Sequence, residues 1–417
     1  MVGVTPVVDP AFSLQVLAWC GGGVLLGSIS GLVPGLHANN FALVLAGIAP
    51  SVPGPPLFVG IAMLSAGVVH TFLNVVPAMA LGVPDAEMAL TALPGHRLIL
   101  DGRGYEAIRL SALGSILAVI VAVPLAIPVT WLVLEAYPTI QSHLPLLLGL
   151  VVLGLLLSER TTRRRFGAGL SFGLAAVLGA LTLDVSPEAP LDAGGMLAPL
   201  FAGLFGAPVL IDALRGGGVP PQDDPGLRIS RPLIAVTAVA GALAGAIVGY
   251  IPGISAAIAA VAVLVLIPGG DDGIGGADDR SYVVATSGVD TANTIFALFA
   301  LFAIGQPRTG VMVAFESANA PLSIPVLVVS VVLAGCCGFV LVIVVGDRYL
   351  DFVGRTDYWK ISTVVLALLV VLSFLFAGAV GVGVFVVASA IGMVPVRFRA
   401  RRVHLMGVLI GPLILGL

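Results

Sequence analysis

The sequence predicts an all-α membrane protein that crosses the bilayer many times. Only 10% of its 417 residues are charged, whereas soluble domains carry about 25%. Hydrophobic residues make up 59%, and they lie in long runs without the alternation that is typical of β-barrels. This composition excludes a soluble domain and a disordered chain, and it excludes a nucleic-acid-binding protein, which needs a basic face.

About 12 to 14 apolar segments follow one another along the chain, and a straight crossing needs about 20 apolar residues. Several runs are shorter than that, among them 35–50, 253–268, 361–376 and 377–395. The sequence therefore predicts broken or re-entrant helices among the full crossings.

The cysteines and the N-terminus fit the same class of protein. Cys20, Cys336 and Cys337 all lie inside apolar runs. Their number is odd and no metal-ligand spacing is present, so we expect buried packing residues rather than disulfides. No basic residue precedes the first apolar run, which argues against a cleavable signal peptide.

Glycine and proline reveal an internal repeat. Glycines recur at every fourth residue, with a proline just before the last of them, and the same pattern returns 218 residues later. The two series are Gly23, Gly27, Gly31, Pro34 and Gly35, and Gly241, Gly245, Gly249, Pro252 and Gly253. We interpret residues 1–215 as a first transmembrane repeat, 216–231 as a cytoplasmic linker, and 232–417 as a second repeat.

The basic residues predict how the repeats are oriented. Cytoplasmic loops of membrane proteins collect lysine and arginine, and 17 of the 19 basic residues here fall into five clusters. All five clusters can face the cytoplasm only if the second repeat is upside down relative to the first. Inverted repeats of this kind are typical of secondary transporters. Both termini would then lie outside the cell.

Each Pro-Gly pair predicts a break inside a membrane helix. Proline removes a backbone donor, and glycine lets the chain turn and lets a ligand approach. Such a break is tolerated where it lines a cavity or is buried in protein. The half-helix that starts after it would point free N–H groups and a positive dipole end at an anion. The pairs Pro34-Gly35 and Pro252-Gly253 would face one site near the midplane, and the preceding glycines would pack helices together.

Polar residues that follow the breaks are the candidate ligands of this anion. His37, Asn39 and Asn40 follow the first break, and Ser255 follows the second. Together they offer several hydrogen-bond donors to a carboxylate or phosphate. The alternative role for His37 is a hydrogen bond to a backbone carbonyl.

A second polar set lies in the third apolar run and in its counterpart in the second half. Its members are His70, Asn74, Asp290, Asn293 and Thr294. Ionisable groups inside a membrane are costly and usually mark ion or substrate paths. Asp290 and Asn293 could ligate sodium, or Asp290 could carry a proton, and no other cofactor is expected. The alternative is that Asp290 caps a half-helix.

The stretch from Leu81 to Ser115 resembles the large permease subunit of tripartite tricarboxylate transporters. That family has a Pro-Gly pair in each half and a Glu-Ala-Ala-Asn-Asn-like sequence, which Asp290-Thr-Ala-Asn293-Thr resembles. The similarity runs along most of the chain. It implies a secondary permease driven by an ion gradient, with an extracytoplasmic solute-binding protein and a small four-helix membrane subunit as partners.

The chain departs from the family pattern at a few positions. His37-Ala-Asn39-Asn40 replaces a Gly-Pro-Thr-Thr-like sequence, Asp85 and Arg308 stand where glycine is usual, and Asp290 stands for glutamate. These differences bear on the substrate more than on the fold.

The leading hypothesis is uptake of a small organic anion, such as a di- or tricarboxylate, across the cell membrane with sodium or protons. The alternative is a translocase of a polyprenyl phosphate or another phosphorylated lipid carrier, because Pro252-Gly253-Ile-Ser255 resembles the paired motifs of such proteins.

A third hypothesis, an enzyme acting on lipid phosphate, would need His37 or His70 near Asp290. Since the common hydrolase and phosphate-binding motifs are absent from the sequence, we predict a transporter rather than an enzyme.

Overall fold

All regular secondary structure in the described residues is helical, which confirms the predicted all-α class. The computed structural model describes residues 9–34, 36, 38–82, 92–191, 195–214, 219–223, 226–251, 256, 259 and 279–416. The helices are α1 Pro10–Leu32, α2 Ala38–Ile48, α3 Pro56–Leu73, α4 Val75–Leu81, α5 Ala92–Leu100, α6 Gly104–Ser142, α7 Leu144–Leu157, α8 Thr162–Thr182, α9 Leu197–Phe201, α10 Ala207–Ala213, α11 Arg231–Tyr250, α12 Asp279–Ile304, α13 Gly310–Ser317, α14 Ile324–Arg355, α15 Tyr358–Phe398 and α16 Gly407–Leu415.

The described part of the chain contains eight helical spans that are long and apolar enough to cross a membrane. They are α1, α3 with α4, α6, α8, α11, α12, α14 and α15, and three shorter apolar segments accompany them. The chain is therefore a multi-pass membrane protein, as its composition predicts. The predicted segment 253–268 lies almost entirely outside the described residues.

Helix α15 is interrupted where the sequence predicts a boundary between two segments. Ala377 and Gly378 have non-helical backbone angles, and Gly378 has a φ of +59°. A Cβ at Gly378 would stand 2.3 Å from the carbonyl oxygen of Glu188. Glycine is needed here both for the left-handed backbone and for this close approach.

Helices α1 and α3 pack with their backbones in contact along a glycine seam. A Cβ at Gly23 would lie 2.2 Å from the carbonyl oxygen of Ala62, and one at Gly27 would lie 2.3 Å from that of Ala66. Small residues allow this approach in membranes, where lipid provides no hydrophobic driving force between helices. The structure confirms the predicted packing role of Gly23 and Gly27.

Helices α11 and α12 repeat this seam in the second half. A Cβ at Gly241 would lie 2.6 Å from the carbonyl oxygen of Ala285, and one at Gly245 would lie 2.8 Å from that of Val289. Each facing residue on α12 is 223 positions after its counterpart on α3. The two helix pairs are thus built alike, contact by contact.

The order of contacts gives the relative directions of the helices. Along each seam both residue numbers rise together, so α1 is parallel to α3 and α11 is parallel to α12. Helix α6 is parallel to α12, since Glu106 contacts Arg280 and Gly114 packs against Val284.

Helices α6 and α14 run in opposite directions, because Gly346 packs on Ile108 whereas Gly335 packs on Val119. Where α3 meets α12, Thr71 contacts Thr291 and Asn74 contacts Asp290. Residue numbers therefore increase along α3 as they decrease along α12, and the two helices run in opposite directions. Equivalent helices of the two halves are therefore antiparallel.

Basic residues from both halves gather at one end of the helix bundle. Arg97 pairs with Asp279 at 2.5 Å, and Arg163 donates to the carbonyl oxygen of Arg397 at 3.4 Å. Burial is the main cause that lowers the pKa of His96, and the nearby positive charge of Arg402 lowers it further. The positive-inside rule predicts that this end faces the cytoplasm.

A buried carboxylate anchors the C-terminal segment at the same end. Glu159 follows α7 and is 4% exposed. Its Oε1 lies 3.1 Å from Nε2 of His404 and accepts from the N–H and the Nε of Arg401. Burial alone would raise the pKa of Glu159, but these hydrogen bonds outweigh it and lower the pKa to about 2.

We expect this anchor to fail in acid. Because the pKa of Glu159 in the fold lies below its ordinary value of 4.5, the carboxylate stabilises the fold above about pH 4.5 and loses this effect as the pH falls towards 2. Glu159→Gln should lower the melting temperature of the detergent-solubilised protein at pH 7, and the difference from wild type should shrink below pH 4.5. The exposed Glu188→Gln is the matched control. A difference that does not change with pH would contradict this account.

The prediction for the cysteines is correct only for Cys20. Cys20 is buried, but Cys336 and Cys337 on α14 are exposed. Residues that face lipid are as apolar as residues that face the core, so an apolar run does not reveal which side of a membrane helix is buried.

Candidate functional site

Buried polar side chains between α3, α4 and α12 form the candidate site, which we call the polar centre. Asp290 is 1% exposed and lies in the middle of α12. The amide of Asn74 donates to its Oδ2 at 3.1 Å. The hydroxyl oxygens of Thr71 and Thr291 lie 3.2 Å apart. The centre comprises His70, Thr71, Asn74, Asp290, Thr291, Asn293 and Thr294, all of them buried.

Asn74 lies between α3 and α4 in the span from Pro56 to Leu81, and Pro77 follows three residues later. Proline has no N–H to donate to the carbonyl of residue 73, and its ring crowds the preceding turn. The backbone of Asn74 stays helical, and its N–H donates to the carbonyl oxygen of His70 at 2.9 Å. The local sequence thus removes one helical hydrogen bond next to the residue whose side chain reaches Asp290.

His70 connects the polar centre to the end of α1. Its Nδ1 lies 2.9 Å from Oγ of Ser30, and its ring stacks on Phe41 of α2 with centroids 6.1 Å apart. Gly31 adjoins the same turn, since a Cβ there would lie 3.1 Å from the carbonyl oxygen of His70. The first Pro-Gly pair begins three residues later, at Pro34.

The second repeat approaches the polar centre in the equivalent way. A Cβ at Gly249 would lie 3.3 Å from the carbonyl oxygen of Asn293, which is the counterpart of His70. Helix α11 ends one residue later, at Tyr250. The last turns of α1 and α11 therefore lie against the two helices that meet between Asn74 and Asp290.

Both α1 and α11 end where the Pro-Gly pairs predict. Val33 and Ile251, the residues before the two prolines, are extended, with ψ of 113° at each. Proline disfavours the helical conformation in the residue that precedes it. Helix α2 then starts at Ala38, with Asn39 and Asn40 in its first turn. Their side chains and the predicted ligands Gly35, His37, Pro252, Gly253 and Ser255 lie outside the described residues.

The polar centre contains a carboxylate in only one of the two repeats. The counterpart of Asp290 on α3 is Gly67, where a Cβ would lie 2.7 Å from Val311. Asn293 is 4% exposed, and its Oδ1 meets no hydrogen-bond donor in the described part of the chain. One carboxylate and an open amide oxygen therefore lie on neighbouring turns of α12.

Serine side chains that sequence reasoning missed extend the centre towards α1 and α6. Oγ of Ser111 lies 2.8 Å from Oγ of Ser287, and Ser115 donates to the carbonyl oxygen of Ser287 at 3.2 Å. Ser111 and Ser115 are four residues apart and so share one helix face. This four-residue spacing could have identified Ser111 and Ser115 from the sequence. The sequence indicates Ser30 less clearly, because it lies inside the glycine stripe of α1.

The fold and the polar centre together define a multi-pass helical membrane protein in which two similar helix pairs meet at a buried carboxylate. Residues 17–407 match the Tripartite tricarboxylate transporter TctA family, and the chain belongs to that family. It is also similar to an uncharacterized protein of Methanocaldococcus jannaschii, with 25% identity over 400 residues, covering 94% of this chain and 96% of the relative. No solved structure matches the chain.

The family match confirms the resemblance that the sequence suggested. It identifies the chain as a membrane permease in a family of transporters rather than of enzymes.

Proposed function

We propose that this permease moves a small organic anion, such as a di- or tricarboxylate, across the cytoplasmic membrane together with sodium or protons. One observation carries the proposal. Helices α1 and α11 end at the two Pro-Gly pairs, and their last turns pack on the helices that meet through Asn74 and Asp290. The helices that lead to the two Pro-Gly pairs thus pack on the same polar centre that contains the carboxylate.

The anion would bind at the half-helix ends that follow the breaks. A helix N-terminus favours an anion by about 0.3–1 kcal/mol at an exposed site, and by more when it is partly buried. Helix α2, with 11 residues, starts four positions after Pro34. The proposed ligands are Pro34, Gly35, His37, Asn39 and Asn40 from the first repeat and Pro252, Gly253 and Ser255 from the second.

The coupling cation would bind at the polar centre. Asp290 supplies a carboxylate that already accepts a hydrogen bond from Asn74, and the open Oδ1 of Asn293 supplies a neutral oxygen. Hard cations prefer oxygen ligands, and the same carboxylate is the proton carrier if the ion is H⁺. Thr294, His70 and Asn74 complete the proposed set.

Alternating access would use the inverted arrangement of the two repeats. The opposite directions of α3 and α12, and of α6 and α14, support this arrangement. One part of the molecule would rock or slide against the rest about a site near the midplane, as in other inverted-repeat transporters.

The partners we propose are an extracytoplasmic solute-binding protein and a small four-helix membrane subunit. The word tripartite in the family description supports a three-component system. The family match also favours a free carboxylate over the phosphorylated lipid of the alternative hypothesis.

Uptake by reconstituted protein tests the proposal. Proteoliposomes that contain the permease, with its binding protein and small subunit supplied, should accumulate at least one radiolabelled di- or tricarboxylate under an inward sodium or proton gradient. Accumulation should stop when the gradient is collapsed by an ionophore. Absence of uptake for every acid in the panel, together with flipping of a labelled polyprenyl phosphate, would replace this proposal by the alternative.

A further inference from the structure

Arg308 stands apart from the other basic residues of the described chain. Helix α12 begins beside Arg280 and the cytoplasmic ion pairs and ends at Ile304. Its 26 residues make it about 39 Å long at 1.5 Å per residue. Arg308 follows four residues after that end, and so lies at the opposite, extracytoplasmic end of the bundle.

The surroundings of Arg308 hold it in place without neutralising its charge. Its guanidinium lies over the ring of Tyr137 on α6, 5.4 Å from the centroid, and its Nη2 contacts the Tyr137 hydroxyl. Within the described residues, its Nε is buried without a hydrogen-bond acceptor, and no carboxylate lies within ion-pair distance. Since a guanidinium carries five donors, several remain for a ligand.

Arg308 also lies on the side of α6 that leads to the second break. Seven residues before Tyr137, the hydroxyl of Thr130 meets that of Tyr250 at 2.5 Å. Tyr250 is the last residue of α11 and stands two positions before Pro252. Thr130 and Tyr137 are two turns apart on one helix face, which corresponds to about 10 Å along α6. The charge of Arg308 is thus about two turns outward of Tyr250, the last residue of α11.

We propose that Arg308 captures a carboxylate of the incoming organic anion at the extracytoplasmic mouth, before the anion reaches the Pro-Gly breaks. This inference rests on the proposed function and adds a specificity residue to it. A planar guanidinium binds a carboxylate through two parallel N–H···O bonds. Tyr137 fixes the plane of the guanidinium, so the fork is oriented before the anion arrives.

Uptake kinetics from the outside of right-side-out vesicles test this role. With labelled citrate as the probe, Arg308→Gly should raise the external KM about tenfold or more, the loss expected for a charge-assisted hydrogen-bonded contact. Vmax should stay within about twofold, because the contact precedes translocation. Arg308→Lys keeps the charge but cannot form two parallel hydrogen bonds to a carboxylate, so its KM should lie between those of wild type and Arg308→Gly.

Ionic strength separates a capture role from a structural one. The effect of Arg308→Gly on KM should be largest at low salt and should decline near 0.1 M, where the screening length is about 10 Å. Tyr137→Phe should raise KM to a smaller extent, because it removes one contact that orients the guanidinium. The matched control is Arg348→Gly, which alters an exposed arginine at the cytoplasmic end and should leave KM and its salt dependence unchanged.

Distinct results would overturn this inference and the proposed function. No uptake by wild type would defeat the proposed function itself. Normal wild-type uptake with an unchanged KM in both Arg308 variants would overturn only the capture role. A reduced Vmax at constant KM would assign Arg308 a structural role. Calorimetry of citrate with the purified permease completes the set: unchanged citrate affinity, with altered dependence on the binding protein, would make Arg308 a docking contact instead.

Discussion

Asp290→Asn is expected to reduce gradient-driven uptake to the level of protein-free liposomes. The amide has nearly the same size as the carboxylate, but it lacks the negative charge that attracts a sodium ion and cannot carry a proton. Initial rates of carboxylate uptake under imposed sodium and proton gradients measure the effect. Asp290→Glu, which keeps the charge, should retain part of the rate.

Two controls make this result specific to coupling. Asp357→Asn alters an exposed carboxylate at the cytoplasmic end and should leave uptake unchanged. Exchange of labelled for unlabelled substrate at equal ion concentrations should survive in Asp290→Asn better than net uptake does, since exchange needs no driving ion. Full gradient-driven uptake by Asp290→Asn would show that the carboxylate has only a packing role.

Gly27→Ala is expected to lower stability by about 3 kcal/mol, the upper part of the usual range for overpacking. The new methyl at residue 27 would lie 2.3 Å from the carbonyl oxygen of Ala66 and 3.0 Å from the Cα of Ala66. Backbone atoms in a packed helix cannot move aside as a flexible side chain can, so α1 and α3 must separate. Gly245→Ala should have a similar effect on the second seam, because Val289 stands in the same position there.

Gly22→Ala provides the matched control in the same helix. Nothing lies within 4 Å of a Cβ at that position, and alanine favours a helix over glycine by about 1 kcal/mol. Thermal unfolding in detergent or nanodiscs should therefore show Gly22→Ala as stable as wild type or more so. Equal melting temperatures for the two variants would mean that α1 and α3 are not in backbone contact.

Local chemistry made much of the fold predictable from sequence. The hydrophobic runs, the glycine stripes and the prolines each act within a few residues, so they indicated helices, packing faces and helix ends without knowledge of the rest of the chain. The ends of α1 and α11 before Pro34 and Pro252 are examples. The recurrence of Gly27 as Gly245 then indicated that two parts of the chain fold alike.

Tertiary relations escaped the sequence because they join distant residues. Asn74 and Asp290 were both candidates, but nothing in the sequence showed that one donates to the other across a sequence separation of 216 residues. The hydrogen bonds of Glu159 likewise join it to Arg401 and His404, which lie more than 240 residues further along the chain. Exposure of Cys336 depends on which face of α14 meets lipid, and composition does not distinguish these faces.

The glycine seams also limit how far the ends of α1 and α11 can move relative to the polar centre. Because α1 touches α3 backbone to backbone, a shift of the end of α1 would carry Thr71 and Asn74 with it. A shift of the end of α11 would carry Asn293 and Asp290 in the same way. A displacement at either proposed anion-binding end would therefore be transmitted directly to the proposed cation ligands. Under the proposed coupling, bulkier side chains in these seams would separate the helices and let the anion cross without its ion. The small size of Gly23, Gly27, Gly241 and Gly245 would thus keep the ratio of ion to anion fixed.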